Sequence, residues 1–297
     1  MTADELTTVD GRPALRMERR LAHPVEEVWR AVTEPERLSR WYPFAVVALE
    51  LRPGGAMRFD DGEGTVMDGT VVEVDPPRRF SFSEHAPEGM HRETDDLVRI
   101  DLEPDGDGCR LVFTHVFDDR PGAASYAVGW DLCLRMLGTV LDGREPDWPT
   151  PPQGALEERI DALGLGAGRV EDGPGGPVLT VERQLTRPAD EVWAEIAGDR
   201  AGNAAGDGVP EGLLVPGVAA SGRTEAKPPE LFEYAWSADS ADAGRVRWEL
   251  SAGTGHGARL VVTQTGRAAD RPLLEAALPA WERRVREVGR RVAGLEG

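Results

Sequence analysis

The sequence predicts an α+β protein built from two tandem domains, each running strand, two short helices, antiparallel meander of about seven strands in all, then one long C-terminal helix. Three observations lead there. Leu21-Ala22-His23-Pro24-Val25-Glu26-Glu27-Val28-Trp29 is answered by Leu185-Thr186-Arg187-Pro188-Ala189-Asp190-Glu191-Val192-Trp193. Val74-Asp75-Pro76-Pro77-Arg78-Arg79-Phe80-Ser81-Phe82 is answered by Ala226-Lys227-Pro228-Pro229-Glu230-Leu231-Phe232-Glu233-Tyr234. Gly108 to Thr114 then returns as Gly257 to Thr263, and Gly129-Trp130 as Ala280-Trp281. A length of 297 residues agrees, since two domains of that size can each bury a core.

The elements follow in order. Residues 14–20 alternate and precede Pro24, which suits the first turn of a helix; Glu26 and Glu27 then sit against the positive end of the helix dipole, and Val25, Val28, Trp29 and Val32 share one face. Residues 35–43 read as a second short helix or turn closed by Pro43. Strands follow at 46–52, 56–60, 70–74, 79–84, 97–103 and 110–117, with Asp105-Gly106-Asp107-Gly108 as a hairpin turn. Residues 123–141 form a long apolar helix ended by Asp142-Gly143. This makes residues 1–143 the first domain. Residues 144–176, rich in Pro and Gly, read as a linker interrupted by a short helical pattern at 155–163, and residues 177–297 as the second domain with its long helix over 273–293.

Bulk properties exclude several classes of function. A net charge of −19 with no cluster of Lys and Arg argues against a nucleic-acid surface and against anionic membranes. Cys109 and Cys133 fit a reducing compartment and read as small buried hydrophobes. The acidic start Met1-Thr2-Ala3-Asp4-Glu5 lacks a signal sequence, and no apolar run is long enough to span a bilayer, so the expectation is a cytoplasmic protein with no membrane insertion.

The first copy resembles a START-related (SRPBCC) domain of the bacterial branch similar to the activator of the heat-shock chaperone ATPase. The resemblance rests on His23 to Trp29, Leu38-Ser39-Arg40-Trp41-Tyr42-Pro43, Pro53-Gly54-Gly55, Val74 to Arg79, Thr114-His115 and Gly129-Trp130, and covers residues 14–143. It implies the helix-grip fold, a curved sheet wrapped on the long helix, with a cavity between them for a hydrophobic ligand. The second copy keeps Arg187-Pro188, Glu191-Val192-Trp193, Pro228-Pro229 and Trp281 but has the Gly-, Ala- and Asp-rich stretch 198–208 in place of Trp-Tyr-Pro. It reads as a degenerate copy, its space filled by Leu231, Tyr234, Trp236, Trp248 and Trp281, so that one ligand binds per chain.

Candidate ligand-binding residues are Trp41, Tyr42, Met57, Phe59, Met67, Phe82, Glu84, Phe113, His115 and Trp130. Alternation puts Phe80, Phe82 and Glu84 on one strand face and Leu111, Phe113 and His115 on another, which brings a carboxylate and an imidazole to the rim of the implied cavity. The competing expectation is that these strand ends face solvent and that the aromatic residues are ordinary core. His85 and His91 fall in an exposed loop, and Arg58 and Arg99 either pair with an acid of the ligand or face water, the second being the expectation. The sequence shows no phosphate loop, nucleophile elbow, metal-spaced His and Cys cluster or paired catalytic carboxylates, and no cofactor is expected. Three readings stay open: a binding protein for a small hydrophobic molecule, an enzyme of the polyketide aromatase/cyclase or hydrolase type using the same pocket, and a chaperone-cofactor or stress-response module with a protein partner.

Overall fold

A computed structural model describes residues 4–86, 94–197, 208–255 and 257–295. The chain divides into two units, Met1–Pro151 and Pro152–Gly297. In the first, β1 (Glu5–Val9) and β2 (Arg12–Leu21) lead into α1 (Val25–Thr33) and α2 (Pro35–Leu38). A meander follows: β3 (Ala45–Leu49), β4 (Ala56–Asp60), β5 (Val66–Asp75), β6 (Arg79–Glu84), β7 (Asp96–Asp105) and β8 (Gly108–Val116), before the long helix α3 (Ala123–Leu141). The strands form one antiparallel sheet in the order β1-β2-β8-β7-β6-β5-β4-β3.

Local chemistry explains these elements. Pro24 is the residue before α1 rather than its first helical residue, and its carbonyl accepts from the amides of Glu27 and Val28. Val25, Val28, Ala31 and Val32 are buried, while Trp29 is only half-buried. The period-two face of β7 turns Asp96, Val98, Ile100 and Leu102 inward, and β8 turns Cys109, Leu111, Phe113 and His115 inward. Across them lies α3, burying Ala123, Ala127, Trp130, Leu134, Leu137 and Leu141.

The second unit opens with α4 (Ala155–Ala162) and β9 (Arg169–Gly173), then β10 (Gly176–Gln184), α5 (Ala189–Ala197), β11 (Ala219–Lys227), β12 (Leu231–Ala238), β13 (Ala241–Ala252), β14 (Ala258–Thr265) and α6 (Arg271–Val292). Its sheet order is β11-β12-β13-β14-β10-β9. This is the first sheet without β3 and β4, and both units are helix-grip folds.

Two expectations need correction. The strand β1 was not anticipated, although its turn Asp10-Gly11, with φ of 49° and 84°, is a hairpin signal in the sequence. Residues 152–176 are not a linker. Glu157 of α4 forms a buried ion pair with Arg183 of β10, Gln153 donates to the carbonyls of Ala293 and Gly294, and β9 pairs along β10. The Pro- and Gly-rich composition here marks tight turns, as at Gly164 and Gly166 with positive φ, and not a free tether.

Candidate functional site

The polar heart of the first unit lies where β6 ends and β7 begins. Glu84 and Asp96 are direct cross-strand partners, and His115 on β8 sits opposite Val98, one step along the same inner face from Asp96. One ligand-type atom from each of the three lies within 4.8 Å of the others, and all three side chains are buried.

Two further residues complete the network. Trp41 is fixed by its indole N–H to the carbonyl of Ala31 (2.9 Å), which sets the turn after α2 so that Tyr42 points inward and donates its hydroxyl to Glu84. Trp130 of α3 donates its indole N–H to His115 Nδ1 (3.1 Å). An Nδ1 that accepts this bond leaves the ring proton on Nε2, which faces Asp96 Oδ2 at 3.3 Å. The tautomer is therefore set by an indole on one side and a carboxylate on the other.

Aromatic rings pack around these groups. Tyr42 stacks on Phe59 with centroids 5.4 Å apart and meets Trp130 at 5.4 Å, while Phe113 and Trp130 are 4.5 Å apart. Tyr126 and His115 meet edge to face with centroids 4.7 Å apart. Burial, and then the negative charge of Glu84, hold the Tyr42 hydroxyl well above its usual range, so it remains a donor. Burial also pushes the Cys133 thiol up to about 12, which keeps it uncharged at neutral pH. Carboxyl groups in such surroundings cost several kcal/mol unless hydrogen-bonded, and these are.

The structure brings Tyr42, Phe59, Phe82, Glu84, Phe113, His115 and Trp130 together. Trp41 and Met57 are buried, with Trp41 spent on holding the turn, and Met67 is a half-buried strand residue opposite Phe59. Glu84 and His115 are only 8% and 1% exposed, so the expectation of solvent-facing strand ends fails for both. His85 is partly exposed, as expected, and His91 lies outside the described residues. Arg58 and Arg99 pair with Asp68 and Asp101 on the outer face. Sequence reasoning missed Asp96 and Tyr126. Asp96 continues the alternation of Val98, Ile100 and Leu102, and Tyr126 stands four residues before Trp130 on the same helix face.

The spacing of Glu84, Asp96 and His115 also suits a divalent ion, which the sequence did not suggest. The hydrogen bonds argue against it. Ligation through Nε2 would move the ring proton to Nδ1, where it would meet the indole N–H of Trp130 head-on.

The strand registers show what the second unit has at these positions. Val98 and Val246 are equivalent, since each lies opposite the polar residue of the last strand, His115 or Gln264. Glu84 then corresponds to Trp236 and Asp96 to Gly244. Trp281 donates to Gln264 Oε1 at 2.7 Å, as Trp130 does to His115. Tyr234, Trp236, Trp248 and Trp281 are all buried there.

Residues 22–142 match the model of the family described as activator of Hsp90 ATPase homolog 1-like protein. The first unit is a START-related SRPBCC domain. The match covers less than half of the chain and lies wholly within that unit. Among solved structures, the chain is similar to CalU16 from Micromonospora echinospora, at 27% identity and a TM-score of 0.42, over 55% of this chain and 94% of that one. It is also similar to protein CV1439 from Chromobacterium violaceum, at 25% identity and a TM-score of 0.38, over 45% and 98% of the two chains. DynU16, a protein of the dynemicin biosynthetic locus, aligns over 95% of this chain and 96% of its own at 18% identity and a TM-score of 0.42. No curated protein matches the sequence. Among the described residues, no helix is long and apolar enough to cross a membrane.

Proposed function

We propose that the first unit binds a small, mainly apolar molecule among Tyr42, Phe59, Phe82, Phe113 and Trp130, with a polar group of that molecule held by the Glu84, Asp96 and His115 network. The observation that carries this reading is the set of acids turned into an aromatic interior. A core selected for stability alone has no use for them, because replacing such groups by apolar ones of similar volume is commonly neutral or stabilising. The second unit makes that replacement and keeps the fold. It therefore serves as a structural partner, and the chain binds one ligand.

Because the rings lie against one another, a ligand enters by replacing ring–ring contacts, and tryptophan emission from Trp130 should change as it does. Titrating the full chain with Nile red, a neutral dye sensitive to polarity, tests the proposal. Saturable binding at one site per chain, weakened by Phe113→Trp, is expected. Binding that does not saturate, or that survives unchanged in Phe113→Trp but is lost on Val262→Trp in the second unit, would overturn it.

A second reading, an enzyme of the cyclase type, is favoured by one feature: the Tyr42 hydroxyl and the Glu84 and Asp96 carboxyl groups set a proton donor beside proton acceptors. Turnover of a poly-β-ketone chain to an aromatic product, lost in Glu84→Gln, would establish it.

A further inference from the structure

After α3 the chain runs through Glu145-Pro146-Asp147-Trp148-Pro149-Thr150-Pro151-Pro152 in neither helix nor strand. Each proline ring fixes its own φ, and each pushes the residue before it toward extended or polyproline II backbone. Only Asp147 escapes both constraints. Polyproline II turns once in about three residues, and Pro146, Pro149 and Pro152 recur at that interval, so they share one edge of the segment while Trp148 and Pro151 share another. The ends are held: the Arg144 amide donates to the Thr139 carbonyl (3.1 Å), Arg40 donates to the Arg144 carbonyl (3.0 Å), and the Ala155 amide donates to the Pro152 carbonyl (3.0 Å). A segment fixed in this way loses little conformational freedom when a partner takes it.

A stiff spacer would have the same prolines. It would have no use for Trp148, which is 43% exposed whereas every other tryptophan of the chain is buried or half-buried. Trp is among the residues that carry most of the binding energy of interfaces. The segment is also acidic. The carboxylates of Glu145 and Asp147 are exposed, and the neighbouring Arg144 turns to Asp142 at 2.8 Å. A partner with positive charge around its site is therefore favoured.

We propose that residues 145–152 are a docking segment for a partner protein whose groove is lined by aromatic rings and rimmed by Lys or Arg, the kind of groove with which SH3, WW and EVH1 domains take polyproline II ligands. Trp148 and Pro149 enter the groove and Asp147 meets its rim. This goes beyond ligand binding in the first unit and does not depend on it.

The test uses the full chain labelled with 5-fluorotryptophan, in which Trp148→Phe identifies the fluorine signal of Trp148. Titration with purified SH3, WW and EVH1 domains should move that signal saturably with at least one of them and leave those of the buried indoles in place. A synthetic peptide of residues 145–152 should compete, and a peptide of the same composition with its prolines moved off the three-residue interval should not. Trp148→Ala should weaken binding roughly tenfold or more, and Pro149→Ala several-fold. Both side chains are exposed, so the melting temperature should not change, and the peptides report the outcome even if a variant fails to fold. No saturable shift with any of the three domains, undiminished binding by Trp148→Ala, or equal competition by the two peptides would each overturn the proposal and make the segment a spacer. Nile red binding in the first unit is untouched by any of these outcomes.

Discussion

In the first unit the inner face of the sheet ends in Glu84, Asp96 and His115; in the second, the same three register positions hold Trp236, Gly244 and Gln264. The long-helix tryptophan keeps its bond to the last strand in both, through Trp130 to His115 and Trp281 to Gln264. What the units share is therefore what the fold requires, and what differs is not. The indole-to-strand bond belongs to the first class. The acids belong to the second, and their presence in one copy only is the molecule's own control for a functional assignment.

A second shared feature shows how far the correspondence reaches. Arg19 lies opposite Leu111 and Arg183 opposite Leu260, so the two arginines are equivalent. Arg19 pairs with Asp4 and Asp131 and stays partly exposed, whereas Arg183 is buried with Glu157 of α4. Gly289 of α6 makes room for that pair, since a Cβ there would lie 2.6 Å from Arg183 Nε and 2.9 Å from Glu157 Oε1.

The comparison can be broken most severely at this pair. A fragment of residues 177–297 should fail to fold, because it strands Arg183 without its buried partner, while a fragment of residues 152–297 should melt cooperatively. In the full chain Arg183→Ala should cost about 3–5 kcal/mol, the usual loss when one partner of a buried pair is removed, against about 1 kcal/mol or less for the more exposed Arg19→Ala. Chemical denaturation measures both, and equal costs would mean that the pairs are not buried to different degrees. Trp130→Ala and Trp281→Ala should each cost about 3–5 kcal/mol. A loss under about 1 kcal/mol at Trp130, with dye binding unchanged, would show that its side chain is not part of the interior.

Smaller effects sharpen the contrast. Glu84→Gln should leave stability unchanged or raise it by about 1–2 kcal/mol, since it removes a buried acid but keeps an acceptor for Tyr42. A drop beyond about 3 kcal/mol would make Glu84 a structural residue. Least dramatic is the behaviour of the cysteines. With burial pushing the Cys109 thiol up to about 11 and Cys133 up to about 12, neither carries appreciable thiolate at pH 8, and both should resist iodoacetamide until the protein is denatured. Mass spectrometry of the native protein reads this directly.

The architecture was largely legible in the sequence because it is written twice. Periodicity marked the long helix at 123–141 to the residue, and the Pro-Pro turns marked the strand pairs. The candidate site was legible in part. Aromatic residues and strand alternation pointed to Tyr42, Phe59, Phe82, Glu84, Phe113, His115 and Trp130, but alternation alone does not say whether the last residue of a strand is covered. That is decided by α3 and by the turn carrying Tyr42, elements distant in sequence. Asp96 escaped notice because it opens a strand after a loop, where an acid is ordinarily solvated. The role of residues 152–176 was hidden for a different reason. Pro and Gly content is the same for a tether and for closely spaced turns, and only the buried pairing of Arg183 with Glu157 tells them apart.

Gly244 and Trp236 close these two positions to an acid. A Cβ at position 244 would lie 2.1 Å from the carbonyl oxygen of Thr265 and 3.1 Å from Trp236 Nε1, and that indole N–H is itself bonded to the Thr265 carbonyl at 2.8 Å. Placing an acid at 244 alone drives a side chain into backbone, and placing one at 236 alone leaves a lone carboxyl in the space of an indole. As it stands, the second copy accepts an acid at neither position by a single substitution without a clash or a stranded carboxyl.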